Sequence, residues 1–179
     1  APTQNYKMHS SFCLPRPSSV SRTRYSTRWV STSHLHLDAL IEAFFSNVNH
    51  HYNIINPSTF IRQYVSWSKQ RPQGCCQDLH LTTLILMICA CVTQHLDISS
   101  QTALDNHLDQ PPRKGLSNSY HDAGQRLAMA IPASSYHLTN LQWKVLSICW
   151  FKGEAMFTEA WHTVGLAVQE AYELGEIAL

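Results

Sequence analysis

The sequence predicts an all-α protein, a bundle of about six helices that follows an N-terminal tail without regular structure. Two observations support this fold class. From residue 34 onward, apolar residues recur at spacings of three and four, which is the pattern of one face of an α-helix. No stretch alternates apolar and polar residues with period two, as a half-buried β-strand would. With 179 residues, 44% of them hydrophobic, the chain can bury the core of one domain.

The predicted tail, residues 1–33, is rich in Ser, Thr, Arg and Pro and has no apolar period. It is basic and contains no acidic residue; its charged side chains are Lys7, Arg16, Arg22, Arg24 and Arg28. The segment Arg22–Trp29 interleaves arginines with Tyr25 and Trp29, and such a segment can contact single-stranded nucleic acid or phosphate. Because short basic runs are usually solvated, a linker is the favoured interpretation.

The first three helices are predicted over residues 34–50, 57–71 and 78–96. The apolar stripe of the first is Leu37, Leu40, Ile41, Phe44, Phe45 and Val48. Asn56 is suited to cap the second helix and Pro57 to occupy its first position. The apolar face of that second helix is predicted to be Phe60, Ile61, Tyr64 and Val65. The third helix is apolar almost all round, which predicts that it forms the buried centre of the bundle.

A loop is predicted over 97–116, and three more helices over 118–130, 139–152 and 154–174. The predicted stripes are Tyr120, Ala123, Leu127 and Ile131, then Leu141, Val145, Ile148 and Cys149, and finally Phe157, Trp161, Val164, Val168, Ala171 and Tyr172. Trp161 is predicted to anchor the core. The apolar stripe of this last helix would have to be buried by further residues, and only four residues follow Gly175. We therefore expect a fragment with partly exposed apolar surface, or self-association.

Metal-ligating residue types are numerous, with 6 cysteines and 11 histidines. Cys91 and His95 share a helix face and Cys89 is nearby, but zinc needs three or four converging ligands. The pattern therefore favours reduced, buried structural cysteines in an intracellular protein. The histidines predicted to lie on the surface are His34, His36, His50 and His51.

Catalytic patterns are absent from the sequence, which has no nucleophile-elbow, P-loop or dinucleotide-binding glycine motif. Cys75–Cys76 lies in a loop without an identifiable His partner, and Glu170 with Glu173 is predicted to be a surface pair. No catalytic, cofactor, metal or DNA-binding residue is therefore predicted, and the chain is expected not to be an enzyme. The alternative is an all-helical enzyme or small-molecule-binding protein whose apolar pocket is lined by Met87, Cys91, Cys149 and Trp150.

Secretion and membrane insertion are not predicted. The N-terminus has no apolar signal region. The most apolar stretch, Leu79–Val92, is interrupted by His80, Thr82 and Thr83 and is shorter than the roughly 20 residues that a membrane span needs.

The segment from Leu138 to Gly175 resembles the middle homology region of fungal binuclear zinc-cluster transcription factors. Residues that fit its first helix motif are Leu138, Leu141, Gln142, Val145 and Leu146; those that fit the second are Ala160, Trp161, Val164, Gly165, Ala167, Ala171, Leu174 and Gly175. Upstream, the residues that fit the opening motif are Ile54, Ile55, Pro57, Thr59 and Phe60. The resemblance spans about Leu37 to Gly175, and it departs from the family pattern at Gln169, Glu176 and Ile177.

The resemblance implies a tail (1–33) followed by a partial regulatory domain (34–179) that controls DNA-templated transcription in the nucleus. It implies transcription machinery or co-regulator proteins as partners, and a small-molecule effector or self-association as further candidates. DNA would be contacted only through the family's zinc cluster, which needs two C-x-x-C pairs. Cys13 stands alone and no C-x-x-C pair occurs in the 179 residues, so we expect no zinc cofactor.

Overall fold

The structure, a computed structural model, describes residues 34–70, 78–96 and 115–175. These residues form helices and contain no strand, which confirms the all-α prediction. The predicted basic tail with Arg22–Trp29, and the Cys75–Cys76 pair, lie outside the described residues. The proposed division between a tail and a regulatory domain therefore stays a prediction.

Six helices are present in the described ranges, in agreement with the predicted order. The first, α1 (His34–Phe44), continues through a π-helical segment (Phe45–Asn49) and a final turn (His50–Tyr52). The others are α2 (Pro57–Gln70), α3 (Leu79–Gln94), α4 (Leu116–Ala128), α5 (Leu138–Gly153) and α6 (Phe157–Glu173).

Helix α3 is the centre of the bundle, as predicted from a sequence that is apolar almost all round. Helices α1, α4 and α5 pack against it, and α6 packs against α5. Its completely buried residues include Met87, Ile88 and Cys89. Asp78 caps its N-terminus, since the Asp78 carboxylate accepts hydrogen bonds from the backbone N–H groups of His80 and Leu81. Helix α3 thus provides the fixed surface on which α4 and α5 are arranged.

The turn between α1 and α2 is closed by buried Asn49. Its Nδ2 donates to the carbonyl oxygen of Ile55 (2.9 Å), and its Oδ1 accepts from the Ile55 backbone N–H (3.0 Å). Asn56 caps α2 by accepting from the backbone N–H of Thr59 at 3.1 Å, and Pro57 is the first helical residue. Both predictions for this cap are therefore confirmed.

The predicted apolar face of α2 is partly wrong. Ile61 and Val65 are more than 40% exposed, whereas Trp67 is buried and its Nε1 donates to Thr82 Oγ1 at 2.9 Å. Two stripes of α2 are compatible with helical spacing. The aromatic one faces inward: Phe60 contacts Phe45 in the π-helical segment that follows α1, and Trp67 contacts Thr82 of α3.

Helix α5 shows a similar rotation relative to its predicted face. Its buried residues include Trp143, Leu146, Ser147 and Trp150, whereas the residues of the predicted stripe, Leu141, Val145, Ile148 and Cys149, are only half-buried. Helix α5 is apolar over most of its circumference and packs against α3 on one side and α6 on the other. The positions of the neighbouring helices, rather than the periodicity of α5 itself, therefore determine which of its residues are buried from solvent.

Gly165 in the middle of α6 offers a test of helix stability. It is exposed, and a Cβ added there would meet no heavy atom within 4 Å. Glycine inside a helix costs about 0.5–1 kcal/mol relative to alanine, so Gly165→Ala should raise the free energy of unfolding by that amount. Urea denaturation measures this change. Gly124→Ala is the control and should not raise the free energy of unfolding, because its Cβ would lie 2.8 Å from the Cε of the buried Met87. A Gly165→Ala protein no more stable than wild type would contradict this description of α6.

Candidate interaction face and binding cleft

Helix α6 contacts the bundle through alanines and one glutamate rather than through its large apolar residues. Its buried residues are Ala160, Ala167, Glu170 and Ala171. Beside this face lies a row of exposed apolar side chains, here called the uncovered stripe: Phe157 (66% exposed), Trp161 (75%), Val168 (42%) and Tyr172 (44%). The spacing of these four residues places them on one side of the helix. The prediction that Trp161 anchors the core is therefore wrong.

The physical reason for this correction is the width of the apolar face of α6. The alanines let α6 approach α5 closely, while Val164, between the two rows, is half-buried. No described residue covers the row beyond Val164. Partial exposure was expected for Phe157, Val164, Val168 and Tyr172; three of them are exposed and Val164 is half-buried, so this expectation is confirmed within the described ranges, whereas self-association stays a prediction.

A cleft of about 270 Å³ opens where the end of α4, the segment that follows it, α5 and α6 meet. Its polar lining comes from Gln125, Asn140, Lys144 and Glu170. Its apolar lining includes Ile131, Pro132 and Trp143. These residues come from three helices and a connecting segment, and their separation in sequence explains why no local motif indicated the cleft.

Glu170 is the charged centre of the cleft, not half of a surface pair with Glu173 as predicted. It is 9% exposed, and its Oε2 accepts from Lys144 Nζ at 2.8 Å. Its Oε1 accepts from Asn140 Nδ2 at 3.0 Å. Burial alone would raise the pKa of Glu170, but the hydrogen bonds from Lys144 and Asn140 and the lysine charge outweigh burial and lower it. Glu170 is therefore ionised at neutral pH.

A hydrogen-bond chain ties the cleft to α3. His80 Nδ1 lies 2.6 Å from Asn140 Oδ1, and His80 Nε2 lies 3.1 Å from Ser135 Oγ. Asn140 Nδ2 also donates to the carbonyl oxygen of Ser135 at 2.7 Å. Because these bonds hold the segment between α4 and α5 against two helices, they keep one wall of the cleft in place.

A buried serine and histidine lie at the spacing of a nucleophile and its base. His121 Nε2 is 2.9 Å from Ser147 Oγ, and Gln125 Nε2 donates to the same oxygen at 3.0 Å. His121 is 3% exposed and Ser147 is not exposed at all, so a substrate cannot reach Ser147 Oγ in this packing. His121 also stacks on Trp150, with 3.7 Å between ring centroids. The pair therefore joins α4 to α5 and offers no accessible nucleophile.

The cysteines and histidines that suggested metal lie apart. Cys91 is buried and its Sγ donates to the carbonyl oxygen of Leu146 at 3.4 Å, whereas His95 is exposed. Within residues 34–70, 78–96 and 115–175, no three His, Cys, Asp or Glu side chains are grouped so that they could hold a metal ion. Desolvation raises the pKa of Cys89 to about 12 and raises the pKa values of Cys91 and Cys149, so these thiols are protonated.

The remaining sequence-predicted residues show no shared site. His50 and His51 are exposed, as predicted, whereas the surface prediction for His36 is only partly correct because this residue is half-buried; the side chain of His34 lies outside the described part of the chain. Met87, Cys91 and Trp150 are buried and, with Cys149, are not among the residues lining the cleft, so the apolar pocket of the alternative prediction is not this cleft. None of the helices in the part of the chain that the structure describes is long and apolar enough to cross a membrane.

Comparison with known proteins assigns this bundle to a family. Residues 41–176 match the family described as the fungal specific transcription factor domain, and this match covers more than half of the chain. The chain belongs to that family. This domain therefore includes all of α2 to α6, with both the uncovered stripe and the cleft. The resemblance noted in the sequence is thus confirmed.

One curated relative of this fungal transcription factor domain is described as the probable transcription factor sol4 of Alternaria solani. It is 28% identical over 141 residues, which cover 78% of this chain and 25% of that protein. The chain thus spans about a quarter of the length of this relative. No solved structure matches the chain.

Proposed function

We propose that the chain is the regulatory, middle homology region of a fungal zinc-cluster-type transcription factor and controls DNA-templated transcription in the nucleus. The family match and the relative described as a probable transcription factor support this role. The domain would act by binding proteins of the transcription machinery or co-regulators. DNA would be contacted by a zinc cluster that these 179 residues do not contain.

The uncovered stripe is the observation that carries this proposal. It offers Phe157, Trp161 and Tyr172 on one rigid helix, and aromatic residues of this kind dominate the energy of protein interfaces. No Lys, Arg, Asp or Glu is among its four residues, which suits the apolar face of a partner helix laid along α6. The Ser147–His121 pair is buried and the cysteine thiols are protonated, so neither supports an enzymatic role. That the chain is not an enzyme stays a prediction.

A reporter experiment tests the proposal. The full chain would be fused to an unrelated DNA-binding domain and its effect on a reporter gene in yeast compared with that of the DNA-binding domain alone. We expect the wild-type chain to change reporter transcription, and Trp161→Ser to remove at least half of that change. Because Trp161 is 75% exposed, the substitution should not unfold the bundle.

The matched control is Glu173→Gln, at an exposed position on another side of α6. This protein should keep the wild-type effect, with equal amounts of both fusions verified by immunoblotting. An inactive wild-type fusion, or a Trp161→Ser fusion as active as the control, would rule out regulation through the stripe.

A further inference from the structure

Gly165 lies beside the uncovered stripe, with Trp161 one turn before it and Val168 one turn after it on α6. We infer that Gly165 is a notch that selects the partner of the stripe, because it receives one large apolar side chain, such as leucine or phenylalanine, from an amphipathic helix laid along α6. This inference deepens the proposed function and rests on it, since it takes the docking of a partner helix on α6 as given.

Four of the five glycines in the described ranges are explained by the fold itself. Gly115 and Gly175 have positive φ angles of 79° and 72°, which side chains rarely adopt. A Cβ added at Gly124 or at Gly153 would lie 2.8 Å or 2.6 Å, respectively, from the nearest side-chain atom. At these four positions the backbone conformation or the packing of the chain therefore favours glycine.

Gly165 has neither explanation. It is helical and exposed, its φ is not positive, and a Cβ added there would meet no heavy atom within 4 Å. Glycine inside a helix is less stable than alanine, so this residue weakens α6 without any compensating contact among the described residues. Glycine does permit a close approach from outside the chain, because no side chain separates the helix backbone from a docked group. A locally unfavourable residue of this kind is typical of a functional position.

The side chains around the notch select the chemistry of the group that enters it. Trp161 is 75% exposed and Val168 is 42% exposed, so a large indole and an isopropyl group border the gap at Gly165. Neither these residues nor Phe157 and Tyr172 carry a charge. A charged group would lose water there without gaining a partner, whereas a long apolar side chain would contact both borders of the notch.

The size of the stripe favours a single helix over a second copy of this chain. Its four residues leave about 400 Å² of side-chain surface exposed, since an aromatic side chain contributes roughly 150–250 Å² when fully exposed. Stable pairs of folded domains bury about 800 Å² on each partner. The stripe alone is therefore too small to hold a stable dimer. It extends about 22 Å along one straight side of α6, which suits a helix of four turns.

A library of displayed helical peptides is the probe for this inference. Each peptide is about 20 residues long, enough to follow the stripe, and its apolar positions vary among alanine, valine, leucine, methionine and phenylalanine. Peptides would be selected on the purified wild-type chain and their affinities measured by fluorescence polarisation. We expect selection to fix a large apolar residue at one central position. Replacing that peptide residue by alanine should weaken binding at least about tenfold.

Substitutions at Gly165 test the notch directly. Gly165→Ala places one methyl group in it and Gly165→Leu fills it, so the affinity for the selected peptides should fall about fivefold and at least about twentyfold, respectively. Both proteins should fold, because no described atom lies near the new side chain and both residues favour helix. Gly165→Ala should be more stable than wild type, so its loss of binding cannot come from unfolding. Glu173→Ala, at an exposed position on another side of α6, is the control and should bind as wild type does.

Three results would overturn the inference. The first is that no peptide is enriched, or that Gly165→Leu binds the enriched peptides as tightly as wild type. The second is a wild-type dimer in light scattering that Gly165→Leu converts to a monomer, because a second copy would then occupy the notch. The third is a reporter fusion whose effect is reduced by Trp161→Ser but unchanged by Gly165→Leu; that result would uphold the proposed function and exclude the notch.

Discussion

Replacing Trp150 by alanine should lower the free energy of unfolding by about 3–5 kcal/mol, the range for removing a fully buried tryptophan. Trp150 is 3% exposed, stacks on His121, and donates from Nε1 to Ser117 Oγ at 2.8 Å. The substitution leaves a cavity between α4 and α5 and removes the hydrogen bond. Chemical denaturation followed by circular dichroism measures the loss.

Trp161→Ala is the matched control for this experiment, because the same side chain is removed from a position that is 75% exposed. Its free energy of unfolding should stay within about 0.5 kcal/mol of the wild-type value. If instead Trp161→Ala were the more damaging substitution, α6 would be rotated relative to the structure and the uncovered stripe would lie in the core.

Acidification should destabilise the bundle between about pH 6.5 and pH 4. Desolvation by burial lowers the pKa of His121 from 6.5 to about 4 in the folded chain, although the charge of Asp122 opposes this shift. Between these two values the unfolded chain binds a proton at this position that the folded chain does not. Stability that is complete above pH 6.5 is therefore lost as the pH falls, by about 3 kcal/mol at pH 4.

The pH dependence is measured as the free energy of unfolding in a series of buffers of equal ionic strength. His121→Asn should flatten the curve in this window even if it lowers stability at neutral pH, since it removes the titrating group. His162→Gln, at an exposed histidine of α6, should retain the acid loss. A further loss is expected as the pH falls below about 4.5, because the unfolded chain then binds a proton at Glu170 that the folded chain, in which the pKa of Glu170 is lowered, does not bind. A wild-type protein with equal stability at pH 6.5 and pH 4.5 would show that His121 is not sealed from water.

The sequence by itself determined the helical class, the order of the helices and the central position of α3. The spacing of apolar residues in a helix indicates which of its faces is buried. Because α3 is apolar almost all round, its central position could be predicted without knowledge of the neighbouring helices. The Asn56–Pro57 cap was equally predictable, because capping uses residues adjacent in sequence. The family resemblance also depended on local motifs, and the match over residues 41–176 confirmed it.

Only the tertiary structure decided which half of the wide apolar face on α6 is covered. Periodicity places Trp161 and Ala160 on neighbouring sides of one helix. In the structure α6 packs with Ala160 buried, and Trp161 remains exposed to solvent. The cleft likewise could not be predicted from the sequence, because it depends on how α5 and α6 pack together. Glu170 and Lys144 are 26 residues apart and pair only because α5 and α6 pack together, and a buried carboxylate stays charged only where such a partner is brought to it.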